Sequence, residues 1–392
     1  MEIILVLGII LALLFNFANG MNDTTNSIAT VVATRVLTPL QAVLMAACFN
    51  FIGPLLFTTA VAKTIGKGIV SPSFMTIEVF FIGLVVAVIW VFLTTFAGLP
   101  ISATHALVGG LIGAAVGAGG LDACVWPTSE SIGSLFLYVT ASAVVGAFIF
   151  ASIARSMKEE NWKMYLGIGA LFGCSLMIPF LMITGILPIS GILAILIFIA
   201  FSPILGFIAA FVISLVLIRL FRNSNPKKMN SLFNRLQVVS AAFYSINHGS
   251  NDAQNGMGAI TGMLVAAGVL HEFAVPVWVI LISCAAIALG TLSGGWQVVK
   301  TMAKKITHLR PYQGFCAETG GGVALTFITS FGIPVSTTHA ITGAIMGVGA
   351  TKGSQAVQWV TVHRIVMTWI ITIPITAICS YAFYLLYKTF LI

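Results

Sequence analysis

Charge is what this chain has least of. Its 392 residues include 18 Lys and Arg and 10 Asp and Glu, 7% in all, where soluble domains carry about a quarter. That shortage, with 59% hydrophobic residues and a mean hydropathy of +1.08, excludes an ordinary soluble domain and predicts a polytopic membrane protein. The formal charge of +8 does not argue for a nucleic-acid partner, because the basic residues stand in short clusters between apolar windows and read as topology signals. The six cysteines, Cys48, Cys124, Cys174, Cys284, Cys316 and Cys379, lack metal-ligand spacing or a paired framework and read as small core residues. No nucleophile and base pair or metal triad stands out, which argues against an enzyme and against an organic cofactor. Met1-Glu2 leads straight into apolar residues without a basic leader or a small-residue cleavage site, so the first segment is expected to persist in the mature protein.

What is present is a series of long apolar runs. Windows near the roughly 20 residues that cross the hydrocarbon core as helix lie at 3–18, 39–61, 74–96, 131–153, 164–186, 189–220, 274–292, 312–330 and 357–387. An all-α fold follows, because a spanning segment must satisfy its backbone groups internally. The 189–220 window exceeds one bilayer thickness and contains Ser202-Pro203, which predicts a tilted or kinked helix.

Two polar motifs interrupt this background, and each occurs twice in the same order. Asn19-Gly20-Met21-Asn22-Asp23-Thr24-Thr25-Asn26 returns as His248-Gly249-Ser250-Asn251-Asp252-Ala253-Gln254-Asn255. Gly98-Leu99-Pro100-Ile101-Ser102-Ala103-Thr104-His105 returns as Gly332-Ile333-Pro334-Val335-Ser336-Thr337-Thr338-His339. A third stretch, Val61 to Ile69, resembles Val298 to Ile306. The duplication divides the chain into a first repeat at 1–155, connecting helices and a link at 156–235, and a second repeat at 236–392. Basic clusters at Arg155, Lys158 and Lys163, at Arg219 to Arg235, and at Lys300 to Arg310 belong inside. Counting crossings back from Arg155, with Gly98 to Gly119 as a net crossing, puts the amino terminus outside while the second repeat starts inside. The expected architecture is therefore two inverted-topology repeats with broken or re-entrant helices around a midplane site, as in many secondary transporters.

The chemistry divides by motif. Asp23 and Asp252 offer hard anionic oxygens and Asn22, Asn26, Asn251 and Asn255 neutral ones, a shell that suits sodium better than a transition metal. The glycine and the Asn/Asp residues predict a break in the first span near Gly20 to Asp23. The competing reading is a set of polar caps or interhelical hydrogen bonds. In the Gly-x-Pro-x-Ser element, proline suits a first helical turn and the helix start attracts anions. Ser102, Thr104, Ser336, Thr337 and Thr338 would add donors around a tetrahedral oxyanion, or else serve as structural caps. His105 and His339 admit three readings: packing residues, holders of the hydroxyl loops, or proton carriers. Among the acids in apolar windows, Glu78 lies near an interface and Glu318 is a candidate ion or gate contact. Gly109, Gly113 and Gly117, with Gly343 and Gly347, have the spacing of close helix packing.

These motifs, with Gly294-Gly295-Trp296-Gln297-Val298-Val299-Lys300-Thr301-Met302, closely resemble the inorganic phosphate transporter family over nearly the whole chain. The resemblance implies cation-coupled uptake of inorganic phosphate, an inverted-repeat helical fold and a homodimer; charge balance for divalent phosphate and the two Asp motifs then point to two or more sodium ions as coupling ions, and the expected location is the plasma membrane, with membrane lipid as surroundings. It also places the family's Asp motifs on Asn22, Asp23, Asn26, Asn251, Asp252 and Asn255, and its hydroxyl motifs on Ser102, Thr104, Ser336, Thr337 and Thr338. Two departures stand out. Asn50 occupies the place of a common family glutamate, which favours sodium over proton coupling, and the link at 223–230 is short, as in compact prokaryotic members. Proton-coupled phosphate transport, sulfate transport and an ion channel remain the alternatives on chemistry alone.

Overall fold

Apolar segments fold as helices here because nothing in lipid can take over a free backbone N–H or C=O. A computed structural model describes residues 2–156, 162–187 and 191–391, so Lys158 of the first basic cluster and the Ile189 start of one window lie outside the described residues. Fourteen α-helices account for most of the described chain: α1 Glu2–Ala33, α2 Pro39–Leu56, α3 Ala60–Lys67, α4 Ile77–Phe96, α5 Ala103–Gly119, α6 Ser129–Ser156 and α7 Trp162–Thr184. They continue with α8 Gly191–Leu220, α9 Pro226–Ala266, α10 Val277–Ser293, α11 Trp296–Lys305, α12 Pro311–Thr329, α13 Thr337–Ala350 and α14 Trp359–Leu391. Among the described residues there is no β-strand, only an isolated bridge between Val70 and Cys124.

Packing divides the chain into two units, Met1–Val125 with Phe198–Ile392, and Trp126–Ile197. In the smaller unit α6 and α7 pack closely, where Cβ atoms on Gly146 and Gly169 would each meet the other's carbonyl. The larger unit holds every polar motif.

Among the described residues seven helices are long and apolar enough to cross a membrane, or eight if α10 and α11, bent by 73° at Gly294-Gly295, make one span. The expected breaks occur at the Gly-x-Pro elements, where α4 and α12 stop and α5 and α13 begin afresh at Ser102 and Ser336. Gly98 and Gly332 both have φ +70, a conformation that costs a residue with a Cβ about 1–2 kcal/mol, so glycine at this place in each half permits the turn.

The expected break at Gly20 to Asp23 does not occur. Helix α1 runs unbroken through the first Asn/Asp motif and α9 through the second. The side chains find partners across the bundle instead of opening the backbone: Asn22 Nδ2 donates to Thr95 Oγ1 at 2.7 Å, and Thr24 Oγ1 back-bonds to the Gly20 carbonyl at 2.6 Å. Nor does the motif glycine unwind anything. A Cβ on Gly20 would strike the Ile287 carbonyl of α10, and one on Gly290 of α10 would strike the Phe17 carbonyl of α1. The same exchange joins α9 to α2, where Gly249 faces the Asn50 carbonyl and Gly53 the Ile246 carbonyl. These glycines let two pairs of helices approach backbone to backbone.

The spaced glycines do likewise. Gly109 and Gly113 of α5 lie against Ile373 and Ala377 of α14, and Gly343 and Gly347 of α13 against Pro203 and Phe207 of α8. Glu78 is half-buried in the first turn of α4, behind the Thr76 cap. All six cysteines are free.

Candidate functional site

Two buried carboxylates face each other at the crossing of α1 and α9. Asp23 and Asp252 are 2% and 1% exposed, and they share neutral donors. Thr337 Oγ1 lies 3.5 Å from Asp23 Oδ2 and 3.2 Å from Asp252 Oδ2. Asn19, with its amide turned to donate, reaches the same two oxygens at 3.1 and 3.3 Å. Thr338 Oγ1 adds a contact of 3.1 Å to Asp23 Oδ1, and Asn251 Nδ2 one of 2.7 Å to Asp252 Oδ1. One hydroxyl proton cannot serve two carboxylates, so Thr337 can donate to only one of them at a time.

His248 is the only basic group that touches either carboxylate among the described residues. Its Nε2 is 3.3 Å from Asp252 Oδ2. Asn50 settles which tautomer is present. Thr291 Oγ1 donates to the Ile287 carbonyl at 2.9 Å and must accept from Asn50 Nδ2, also at 2.9 Å. The Asn50 oxygen is left to accept from His248 Nδ1 at 3.0 Å. With Nδ1 engaged on Asn50, the ring turns Nε2 toward Asp252, next to two carboxylates whose ligand atoms lie within 4.8 Å of it and of one another.

This close set of two carboxylates and an imidazole nitrogen fits a bound cation. Buried, unpartnered amide oxygens point the same way: Asn22 Oδ1 and Asn255 Oδ1 accept nothing, although both amide nitrogens are used. Buried polar atoms in native proteins are nearly always paired, and oxygen-rich donor sets suit alkali and other hard cations.

The two Gly-x-Pro loops come together beside the carboxylates. Thr338 Oγ1 reaches the Ile101 carbonyl at 2.9 Å, and Asn251 Nδ2 the Val335 carbonyl at 2.8 Å. Ser102 and Ser336 are the N-caps of α5 and α13, accepting from the amides of His105 and His339 at 3.2 Å each. The first-turn amides ahead of these have no acceptor within their own helices, which leaves each helix start able to receive an anion.

Several contacts cross between the halves in matching pairs. Asn26 Nδ2 holds Thr338 Oγ1 at 3.0 Å and Thr337 Oγ1 at 3.2 Å, while Asn255 Nδ2 holds Thr104 Oγ1 at 2.8 Å. Thr64 Oγ1 of α3 donates to the Gly332 carbonyl at 2.7 Å, and Thr301 Oγ1 of α11 to the Gly98 carbonyl at 3.0 Å. A third pairing stays within each half: Asn22 with Thr95, and Asn251 with Thr329 at 3.4 Å.

The structure thus brings Asp23, Asp252, Asn26, Asn251, Thr337 and Thr338 into one cluster, with Asn255 on Thr104, and employs Ser102 and Ser336 as helix caps. His105 and His339 touch neither carboxylate. Their rings meet edge to face at 4.9 Å, and His339 stacks on Trp369 at 3.7 Å, whose Nε1 holds the Pro100 carbonyl at 3.2 Å. Glu318 belongs to a separate buried cluster, accepting from Thr30, Ser240 and Gln237, with Gln237 at 3.3 Å. Thr30 is seven residues beyond Asp23, about 10 Å along the helix.

Asn19, His248, Asn50, Thr64 and Thr301 were not among the sequence-derived site residues. Thr64 and Thr301 stand in the third repeated stretch, and that repetition was the signal available for them.

Comparison with known proteins finds relatives along nearly the whole chain. A family model described as the phosphate transporter family matches residues 19–167 and 164–380. A probable low-affinity inorganic phosphate transporter of Rhizobium meliloti is 42% identical over 384 residues, covering 96% of each chain. One of the same description from Bacillus subtilis is 36% identical over 386 residues, also covering 96% of each. A solved structure described as the sodium-dependent phosphate transporter superposes with a TM-score of 0.70 at 26% identity, covering all of both chains. The family and these relatives are transporters rather than enzymes.

Proposed function

The chain belongs to the phosphate transporter family, and from that premise we propose that it is a symporter carrying inorganic phosphate into the cell with sodium. The observation that carries the reading is the pair of buried carboxylates, Asp23 and Asp252, sharing Thr337 and Asn19 as neutral donors. Sodium bound by Asp23, Asp252, Asn22, Asn26, Asn251 and Asn255 would complete their coordination and remove the charge that would otherwise repel an anion. The unpartnered oxygens of Asn22 and Asn255 support that assignment. Phosphate then settles against the starts of α5 and α13, with hydroxyls of Ser102, Thr104, Ser336, Thr337 and Thr338 as partners. His105 and His339 hold these loops in place, and Glu318 serves as an accessory cation contact.

The energetics require at least two cations. Each charge moved across 100 mV is worth about 2.3 kcal/mol, so divalent phosphate entering a cell negative inside works against roughly 4.6 kcal/mol. Two sodium ions make the load neutral, and a third lets the voltage assist. The matched and crossed contacts support two repeats surrounding one site, and the placement of the basic clusters supports their inversion, with the amino terminus outside the plasma membrane. A homodimer is the assembly the family resemblance favours.

Uptake of labelled phosphate into proteoliposomes under imposed sodium, proton and voltage gradients tests the proposal. Expected are saturable uptake that needs a sodium gradient, accelerates with negative interior potential if a third ion enters, and disappears in Asp23→Ala and Asp252→Ala. Sodium-independent uptake driven by a proton gradient would overturn the coupling, equal inhibition by sulfate the selectivity, and undiminished uptake in both variants the site.

A further inference from the structure

A second binding feature lies at the far end of α9, outside the carboxylate cluster. The C-terminus of α8, the start of α9 and the start of α12 enclose a cavity of about 830 Å³. Three exposed cations, Arg222, Lys227 and Arg310, line it. Among the described residues no acidic side chain lines it and none of the three is in an ion pair. Two helix starts add their positive ends, α9 at Pro226 and α12 at Pro311. The floor is aromatic: buried Phe233 packs against Phe221 at 5.8 Å and Tyr312 at 6.2 Å. The wall formed by Leu217 and Ile218 continues into apolar side chains exposed along α8, where Val216 and Leu220 are 56% and 69% exposed.

We infer that this cavity binds an anionic glycerophospholipid, its headgroup phosphate among Arg222, Lys227 and Arg310 and an acyl chain along Leu217 and Ile218. Basic pockets between transmembrane helices are suited to such headgroups. Size separates a lipid from free phosphate: the cavity has room for roughly 28 waters at about 30 Å³ each, of which a lone tetrahedral anion would fill a small share. The aromatic floor and apolar wall have no use for inorganic phosphate, whereas an acyl chain covers both.

The test is native mass spectrometry of the full-length protein, titrated with dioleoyl phosphatidylglycerol or with phosphatidylcholine of the same chains. Wild type is expected to prefer phosphatidylglycerol. Each of Arg222→Gln, Lys227→Gln and Arg310→Gln should weaken that preference about fivefold, and the three together on the order of 100-fold. The single variants keep the test decisive if the triple variant fails to fold. Arg235→Gln, an exposed cation on the same helix that does not line the cavity, should leave the preference unchanged, and millimolar inorganic phosphate should leave the lipid bound. No preference in wild type, full preference in the single variants, equal loss in Arg235→Gln, or displacement by phosphate would each overturn the inference.

Discussion

Thr337→Val isolates one hydroxyl at the centre of the site. Valine keeps the β-branched shape that suits the first turn of α13, and the backbone carbonyl of Thr337 still accepts from Tyr244 Oη at 2.9 Å. Asn26 loses one acceptor but keeps Thr338 at 3.0 Å. What disappears is the donor shared by Asp23 and Asp252, which the proposal also gives to bound phosphate. A hydrogen bond to a charged group contributes about 1.5–3 kcal/mol, so the half-saturating phosphate concentration should rise about 10- to 150-fold, at 1.36 kcal/mol per decade. Initial rates of labelled phosphate uptake into proteoliposomes at saturating sodium read this directly. Thr337→Ser restores the hydroxyl and should stay within a few-fold of wild type. A Val variant with wild-type half-saturation would refute the role of the hydroxyl. So would a Ser variant as impaired as the Val variant, because the loss would then come from packing.

Other substitutions test the frame and the accessory cluster. Gly290→Ala drives a Cβ into the Phe17 carbonyl and should destabilise the protein by about 1–3 kcal/mol, as overpacking does, seen as a lowered melting temperature in detergent. Gly133→Ala, whose Cβ meets nothing, should be neutral or stabilising by up to about 1 kcal/mol. Gly98→Ala and Gly332→Ala, both at φ +70, should each cost about 1–2 kcal/mol and slow uptake to a similar degree, since each strains one of two matching loops. Glu318→Gln keeps the shape of a side chain that accepts from Thr30, Ser240 and Gln237 but replaces one acceptor oxygen by an amide that cannot ligate a cation. It should move sodium activation to higher concentration while leaving phosphate half-saturation at saturating sodium unchanged.

Much of the frame was legible in the sequence, because apolar length and glycine-proline chemistry act locally. The nine windows correspond to helices, and new helices start after both Gly-x-Pro elements, although Pro100 and Pro334 stand two residues ahead of the Ser102 and Ser336 caps instead of in the first turn, where the sequence pattern puts them. The helix α9 escaped the windows because its polar positions, among them Gln237, Asn247, Asn251 and Asn255, lower its hydropathy while all being buried. The unbroken course of α1 was also hidden. Asn and Asp favour helix ends only when their side chains lack better partners, and here those partners, Thr95, Thr337 and Thr338, come from other elements.

The crossed contacts change what the repetition means. Read along the chain, each Asn/Asp motif and each Gly-x-Pro loop belongs to its own half. In the fold, Asn26 and Thr64 of the first half hold the loop of the second, and Asn255 and Thr301 of the second hold the loop of the first. Bonds of this kind contribute about 1 kcal/mol each, enough together to fix a loop but few enough to exchange. A loop that moved to release phosphate would have to leave the helices of the opposite half, including α1 or α9, which carry Asp23 and Asp252. Loss of the anion's partners and disturbance of the cation ligands would therefore be one event, which is the physical requirement for coupling two substrates through one site.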